Sequence, residues 1–251
     1  MRNFYRALVW FIAPVVITNC RDNTSDNQLT NTSADSVITV SKPLREKVLK
    51  AEEQKALTPD TVIQLLKLGN QRFRANDITS RDHSAMVRDA TAGQYPKAII
   101  LSCVDSRIPV EDVFDRGIGD IFVARVAGNF VNEDILGSME FACKVSGSKL
   151  ILVLGHEACG AIKAAIDNVK LGNITAMISK ITPAVSQSKE FPNEKSSKNE
   201  AFVEMVAIKN VLNTIETIKA KSPILKEMAD KGEIKIIGGY YDLHTGEVKF
   251  L

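Results

Sequence analysis

The sequence has few cysteines and almost no net charge, and both shortages exclude whole classes of protein. Its four cysteines, at positions 20, 103, 143 and 159, are too few and too widely spaced for a small disulfide-stapled scaffold. The 32 basic and 30 acidic residues leave a net charge of +2. No stripe of Lys and Arg is interleaved with aromatic residues, so the chain lacks the pattern of a nucleic-acid-binding protein.

The overall composition is that of a globular protein. Of the 251 residues, 45% are hydrophobic and 25% are charged, which is enough to build one substantial core. The sequence contains no internal repeat. We therefore expect a single folded domain, preceded by a segment of different character.

Residues 1–20 predict an export signal. Arg2 and Arg6 form a basic start, and an apolar run over residues 7–17 follows, interrupted by Pro14. This layout is typical of a secretory signal, and the run is shorter than the about 20 residues that a membrane-spanning helix needs. We expect the mature protein to lack this segment and to lie outside the cytoplasm, in the periplasm or held at a membrane.

Cys20 stands between the apolar run and a polar segment. Residues 21–42 are rich in Asn, Asp, Ser and Thr, which predicts a disordered tether. A cysteine at such a junction resembles the lipid-attachment site of bacterial lipoproteins, although Asn19 stands where that pattern usually has Gly, Ala or Ser. Three outcomes stay open: a lipid on Cys20 that attaches the protein to a membrane, cleavage without a lipid, and an uncleaved anchor.

Residues 43–251 are expected to form the folded domain, which opens with helices. Apolar residues recur at helical spacing over residues 43–76 and predict two successive helices. Thr58 marks the start of the second, because its hydroxyl can accept a free backbone N–H. Pro59 suits the first turn of a helix, and Asp60 complements the helix dipole.

The middle of the chain alternates between strand and helix patterns. Apolar runs predict buried strands over residues 98–101, 121–126 and 150–154, and helical patterns cover residues 134–145 and 158–169. Such alternation is typical of a parallel sheet with helical crossovers. We predict an α/β fold with a central, mostly parallel sheet flanked by helices.

The last third of the chain gives weaker signals. Periodicity is lost over residues 172–199, where Phe191, Pro192 and Asn193 indicate a loop. A helical pattern returns over residues 200–220, and residues 233–251 alternate like a β-hairpin that turns at residues 244–247.

Two groups of reactive residues directly follow predicted strands. Cys103, Asp105 and Arg107 follow the strand at residues 98–101, and His156 and Cys159 follow the strand at residues 150–154. In open parallel sheets, ligands bind beyond the carboxyl ends of the strands. We therefore expect both groups to meet at one place.

Cysteine and histidine are favoured zinc ligands. A set of three, Cys103, His156 and Cys159, leaves a fourth position for water, which is the arrangement of a catalytic zinc site. The His-x-x-Cys spacing lets two ligands from one turn reach the same ion. We therefore predict a Zn²⁺ site on these three residues.

The motifs CVDSR at 103–107 and HEAC at 156–159 resemble those of the β-class carbonic anhydrases. The similarity extends over residues 57–251 and includes RVAGN at 125–129, GSMEFA at 137–142 and GYYDL at 239–243. It implies zinc on Cys103, His156 and Cys159, with CO2 and bicarbonate as substrates. It also implies a homodimer or homotetramer.

The resemblance assigns further residues to the site. It implies an Asp105–Arg107 dyad beside the zinc and a hydrogen bond from Gln94 to bicarbonate. An apolar CO2 pocket would be lined by Phe122, Ala127, Phe141 and Gly160. The only tryptophan, Trp10, lies in the predicted signal. Because bicarbonate-regulated members use a tryptophan of the mature domain, we do not expect their inhibitory site here.

The implied reaction is the attack of zinc-bound hydroxide on CO2 to give bicarbonate. Zinc acidifies its bound water, so hydroxide is available near neutral pH. Asp105 would accept the hydrogen bond that orients this hydroxide, and the guanidinium of Arg107 would hold the Asp105 carboxylate. In a closed form Asp105 would instead coordinate zinc and exclude water.

Two other classes of function stay open. A thiol redox protein would use Cys103 and Cys159 as a reactive pair, and a structural zinc protein would keep Asp105 permanently as the fourth ligand.

The remaining cysteine, histidine and acidic candidates are expected to have no catalytic or metal-binding role. We expect Cys143 to be buried, and His83 and His244 to be solvated in loops or turns. Glu157 receives no chemical role.

Overall fold

Helices precede the sheet in the computed structural model, which describes residues 47–251. The predicted signal at 1–20, the tether at 21–42 and Cys20 therefore lie outside the described residues. Helix α1 spans Ala51–Lys55 and α2 spans Pro59–Arg74. The Thr58 hydroxyl accepts a hydrogen bond from the Thr61 N–H at 3.1 Å, so the predicted start of the second helix is confirmed.

The central sheet has five strands in the order β2-β1-β3-β4-β5. Strands β1 to β4 are parallel, and β5 pairs antiparallel with β4, so the α/β fold and the C-terminal hairpin are confirmed. The strands are β1 (Ala98–Ser102), β2 (Ile121–Arg125), β3 (Leu150–His156), β4 (Lys235–Tyr241) and β5 (Val248–Phe250).

Eight further helices of the described residues 47–251 flank this sheet. They are α3 (His83–Asp89), α4 (Val110–Val113), α5 (Glu133–Glu140), α6 (Gly160–Ile166), α7 (Gly172–Ile178), α8 (Thr182–Ser186), α9 (Glu200–Lys221) and α10 (Pro223–Asp230). Helix α5 continues into a π-helical turn at Phe141–Val145. Within residues 47–251, no helix is both long and apolar enough to cross a bilayer.

The sheet is buried on both faces because successive side chains of a strand point to opposite sides. Ile99 and Leu101 of β1 pack in a core with α5, α9 and α10. Ala98 and Ile100 pack on the other face, in a core with α2 and α4. This two-sided burial explains why β1 and β3 are continuous apolar runs in the sequence.

Helix α9 lies directly against β3 and β4. A Cβ atom at Gly155 or at Gly238 would come within 2.7 Å of the Val211 side chain, so only glycine permits this approach. The close packing fixes the end of β3, from which His156 projects.

Some local predictions were wrong. The first helix covers only Ala51–Lys55, because the Glu53 carboxylate accepts from the Lys50 N–H and starts the helix there. The loop predicted at residues 191–193 is confirmed, but residues 172–199 also contain α7 and α8. These helices have seven and five residues, which is too short to show a helical period in the sequence. His83 is the first residue of α3 rather than part of a loop, although it is exposed as expected.

Candidate metal centre and active site

The three predicted metal ligands come together beyond the carboxyl ends of β1 and β3. Cys103 directly follows β1, His156 ends β3, and Cys159 caps α6. Strands β1 and β3 are neighbours, with Ser102 paired to Leu154, so the two loops leave the sheet side by side. The ligand atoms of the three side chains all lie within 4.8 Å of one another, and all three side chains are buried.

The His156 ring is oriented by its own loop. Its Nδ1 lies 2.8 Å from the Glu157 carbonyl oxygen, and because a carbonyl only accepts, Nδ1 carries the proton and donates. Nε2 is left with its lone pair, is buried, and has no hydrogen-bond partner among the residues that the structure describes. Ala158, with a φ of 53°, turns the chain sharply toward Cys159. A buried, unpartnered imidazole nitrogen is suited to a metal ion.

The two thiols share one buried environment. Their sulfur atoms are 4.0 Å apart, and the Gly128 N–H donates to Cys103 Sγ at 3.4 Å. Either sulfur can donate in this contact, which is the main cause that lowers the pKa of Cys103 and that, together with burial, raises the pKa of Cys159. The Gly128 N–H and the neighbouring sulfur both favour a thiolate at Cys103, the form in which cysteine binds a metal.

These residues fit a zinc ion. Two thiols and one imidazole nitrogen converge, and they are enclosed by an apolar cluster that includes Phe130 and Tyr240. Three ligands of these types match a catalytic zinc site with one position left for water. The fit follows from the donor set together with the unpartnered nitrogen of His156.

Asp105 and Arg107 are hydrogen-bonded to each other at the edge of this cluster. Arg107 Nε and Nη2 donate to the two Asp105 carboxylate oxygens at 2.9 and 2.7 Å. These hydrogen bonds from Arg107 lower the pKa of Asp105 more than burial raises it, so that pKa lies well below its usual range. Asp105 Oδ2 lies 4.0 Å from His156 Nε2, so the carboxylate faces the predicted metal position.

Arg125 also belongs to the site, although its sequence context predicts no role for its side chain. Its side chain donates to the carbonyl oxygens of Cys103 (2.9 Å), Asp105 (3.1 Å) and Ile108 (2.5 Å). Arg125 ends β2, and the register of the sheet sets it opposite Ser102 of β1. One side chain therefore ties down the loop that carries a metal ligand and the dyad.

The residues predicted to line a CO2 pocket are spread over different parts of the domain. Ala127 packs against the cluster that contains Cys103 and Cys159. Phe122 and Phe141 make an edge-to-face contact at 6.3 Å and line a separate groove of about 790 Å³ beside edge strand β2. Gly160 is exposed at the start of α6. The common pocket stays a prediction.

Gln94 lies far from the metal ligands along the sheet. It is exposed and precedes β1, whereas Cys103 follows β1. Five strand residues separate the two ends, which is about 17 Å at ~3.3 Å per residue. Within one chain, Gln94 therefore lies well away from the metal ligands, and its contact with bicarbonate stays a prediction.

Among the residues expected to have no catalytic or metal-binding role, Cys143 is buried and His244 is solvated, as predicted. Cys143 is buried, which raises the pKa of its thiol to about 12. The His244 side chain is 80% exposed in the hairpin turn. Glu157 does make specific contacts, because its carboxylate accepts from the Leu243 N–H at 3.0 Å and from His244 Nδ1 at 2.9 Å.

Comparison with known proteins gives consistent matches. A family model described as carbonic anhydrase matches residues 98–248. Carbonic anhydrase 2 of Mycobacterium tuberculosis is 34% identical over 75% of this chain and 90% of its own length. The carbonic anhydrase of Mycolicibacterium smegmatis is 30% identical over 76% and 92%.

Solved structures agree in fold. A chain from the crystal structures of two tetrameric β-carbonic anhydrases of Sordaria macrospora gives a TM-score of 0.60 at 21% identity, over 76% of this chain and 97% of that chain. The Coccomyxa β-carbonic anhydrase in complex with acetazolamide gives a TM-score of 0.60 at 24% identity, over 76% and 84%.

Proposed function

The chain belongs to the β class of the carbonic anhydrase family, and on that premise we propose how its residues carry out the hydration of CO2. The observation that carries the proposal is the convergence of Cys103, His156 and Cys159, whose ligand atoms lie within 4.8 Å of one another. Such a donor set is suited to Zn²⁺, which when bound acidifies water and so supplies hydroxide near neutral pH.

Asp105 orients the attacking water. An ionised carboxylate only accepts hydrogen bonds, so it receives the water O–H and leaves an oxygen lone pair directed at CO2. The low pKa of Asp105 keeps it ionised at any pH at which the enzyme works. Arg107 holds both carboxylate oxygens, which favours this role over Asp105 serving as a permanent metal ligand.

Apolar side chains next to the ligands exclude bulk water. Ala127, Phe130 and Tyr240 belong to the cluster around Cys103 and Cys159, and Phe130 and Tyr240 are buried. CO2 is apolar, so a dry pocket favours it over water.

The enzyme works as a homodimer or homotetramer in this proposal. Gln94 lies at the end of β1 opposite to the site of its own chain, so it acts on bicarbonate only from a second copy. The groove formed by Phe122 and Phe141 leaves apolar surface beside edge strand β2, which a second copy would cover. Light scattering is expected to give a mass of two or four chains, and a monomer would contradict this.

We propose that the protein is exported, with residues 1–20 as its signal. Mass spectrometry of the mature N-terminus distinguishes a lipid on Cys20 from plain cleavage. An intact Met1 on a cytoplasmic protein would contradict export.

Zinc content and stopped-flow CO2 hydration test the site. Cys159→Ser is expected to lose both zinc and activity, whereas Asp105→Asn keeps zinc and loses activity by roughly 100-fold. Cys143→Ser is the matched control, because this buried cysteine lies in a different core from the ligands. Full activity in Asp105→Asn would refute the dyad, and activity that requires Cys103 and Cys159 but no zinc would favour thiol chemistry.

A further inference from the structure

A second group of metal-ligating side chains lies at the C-terminal hairpin turn. Glu157, Asp242 and His244 each offer one ligand atom, and these atoms all lie within 4.8 Å of one another. One imidazole nitrogen and two carboxylates are ligand types that Zn²⁺ accepts in proteins. The proposed hydration of CO2 uses none of these three side chains.

The sheet brings the two parts of this group together. Strands β3 and β4 pair as far as His156 and Tyr241. The Glu157 N–H, one residue further on, donates to the Tyr241 carbonyl oxygen at 2.9 Å. Glu157 Oε2 accepts from the Leu243 N–H at 3.0 Å. The loop after β3 and the turn after β4 are therefore fixed to each other by hydrogen bonds.

The turn holds Asp242 in a defined conformation. Asp242 Oδ1 accepts from the N–H groups of His244 at 2.8 Å and of Thr245 at 2.9 Å. The Asp242 N–H donates to the Glu247 carbonyl oxygen at 2.9 Å, which closes the hairpin. Because the two bonds to the side chain end on Oδ1, an ion can bind Oδ2 of the same carboxylate without breaking them.

His244 and Glu157 already lie close enough to share an ion. His244 Nδ1 is 2.9 Å from Glu157 Oε2. Around a tetrahedral zinc ion with bonds of about 2.0–2.2 Å, ligand atoms lie about 3.3–3.6 Å apart. The His244 side chain is 80% exposed and the Glu157 side chain 29%, so small rotations of both can admit the ion.

The ion takes the place of the proton between these two side chains. An ionised carboxylate cannot donate, so Nδ1 carries the proton of this hydrogen bond. When an ion binds the Nδ1 lone pair, a neutral His244 ring keeps its one proton on Nε2 instead. An imidazolium ring keeps its Nε2 proton and releases the Nδ1 proton to solvent. No electrons are transferred.

The surrounding charge favours a cation. The hydrogen bond to Glu157 is the main cause of a His244 pKa above 6.5, and Asp242 and Glu200 add to it. Among the described residues, carboxylates outnumber basic side chains in and beside the cavity of about 450 Å³ at this turn. The carboxylates are Glu157, Asp242, Glu200 and Glu204, and the basic side chains are Arg107 and Lys163.

We propose that Glu157, Asp242 and His244 form a second zinc site, which binds more weakly than the site of Cys103, His156 and Cys159. Its ligands are two oxygens and one nitrogen, and all three residues are at least partly exposed, whereas the first site has two thiols in a buried cluster. Protein purified without added metal therefore carries one zinc, and the second site fills when Zn²⁺ is in excess. The bound ion joins the loop after β3 to the hairpin turn.

A calorimetric titration of Zn²⁺ into protein that already carries one zinc tests the site. Wild type is expected to bind one further equivalent per chain. His244→Ala and Asp242→Asn should each weaken this step by about 10-fold or more. The amide oxygen of Asp242→Asn can still accept from the turn N–H groups, so the hairpin is kept. His83→Ala is the control, because His83 is exposed at the start of α3 and does not belong to the group.

A second readout follows the histidine rings directly. In NMR spectra, the further equivalent of Zn²⁺ is expected to shift the ring signals of His244 and to leave those of His83 in place. No further equivalent in wild type, or the same affinity in His244→Ala, would overturn the inference. A wild type that binds the second zinc but hydrates no CO2 would contradict the proposed function and support this site, because the site depends on metal binding alone.

Discussion

Replacing Arg125 by alanine is expected to weaken zinc binding without unfolding the protein. The guanidinium makes three hydrogen bonds to the carbonyl oxygens of Cys103, Asp105 and Ile108. Each of these hydrogen bonds contributes about 0.5–1.5 kcal/mol net. Because Arg125 is exposed, water can hydrogen-bond to the freed carbonyl oxygens in the variant and offset part of the loss. The three bonds together therefore stabilise the zinc-binding conformation of the Cys103 loop by about 1.5–3 kcal/mol. Loss of this stabilisation in Arg125→Ala corresponds to about a 10- to 100-fold loss in zinc affinity.

Competition with a chromophoric chelator measures that affinity, and circular dichroism checks the fold. Arg125→Lys should recover only part of the loss, because one ammonium cannot reach all three carbonyls as the planar fork does. Arg88→Ala, an exposed arginine of α3, is the control and should bind zinc like wild type. Wild-type zinc affinity and CO2 hydration in Arg125→Ala would refute the idea that this side chain holds the ligand loop.

Three further predictions follow from other parts of the structure. Asp115 is fully buried and is held by Thr79, Arg72 and Arg81, so Asp115→Asn should lower the free energy of unfolding in urea by about 3–5 kcal/mol. The exposed Asp60→Asn should cost less than about 1 kcal/mol, and equal effects would contradict the argument. Burial opposes ionisation of Asp115, but the hydrogen bonds from Thr79 and Arg72 lower its pKa from 3.8 to about 2. Its contribution to stability is therefore complete above pH 3.8 and is lost as the pH falls through about 2, which acid titration of stability checks. Burial raises the pKa of Cys143 to about 12, so iodoacetamide should leave this thiol unmodified in the native protein at neutral pH, and rapid labelling seen by mass spectrometry would show that it is accessible. Cys103 and Cys159 bring two negative charges to the metal, so water there should be less acidic than in a three-histidine site; CO2 hydration should rise from neutral to mildly alkaline pH, and a flat profile would contradict this.

The sheet and the metal ligands were predictable from the sequence because both depend on short-range patterns. Strands β1 and β3 are buried on both faces and so stand out as continuous apolar runs. Cys103 and His156 lie at or just beyond their carboxyl ends, where parallel strands bring ligands together. The positions of the strands were thus enough to predict that the reactive residues after β1 and those after β3 meet.

The supporting residues were not predictable, because they depend on long-range register. Arg125 reaches the Cys103 loop only because β2 pairs with β1 so that Arg125 lies opposite Ser102. In the same way, His156 pairs with Tyr241, which brings the hairpin turn with His244 next to Glu157. No spacing along the chain indicates either contact.

The residues predicted to line the CO2 pocket show that a sequence does not reveal which residues share one site. Ala127 and Phe122 were assigned by resemblance to one pocket, yet they pack in different hydrophobic clusters of the folded chain. Gln94 likewise lies at the other end of β1 from the metal ligands. A sequence does not distinguish a residue that serves its own site from one that serves the site of a second copy.

The most direct test of the account is CO2 hydration before and after removal of the metal. Purified protein is expected to bind one zinc per chain through Cys103, His156 and Cys159, and to hydrate CO2 in stopped-flow assays at mildly alkaline pH. Chelation should abolish this activity, and stoichiometric zinc should restore it. A protein that binds one zinc per chain but hydrates no CO2 between neutral and alkaline pH would contradict the account and make the metal site structural.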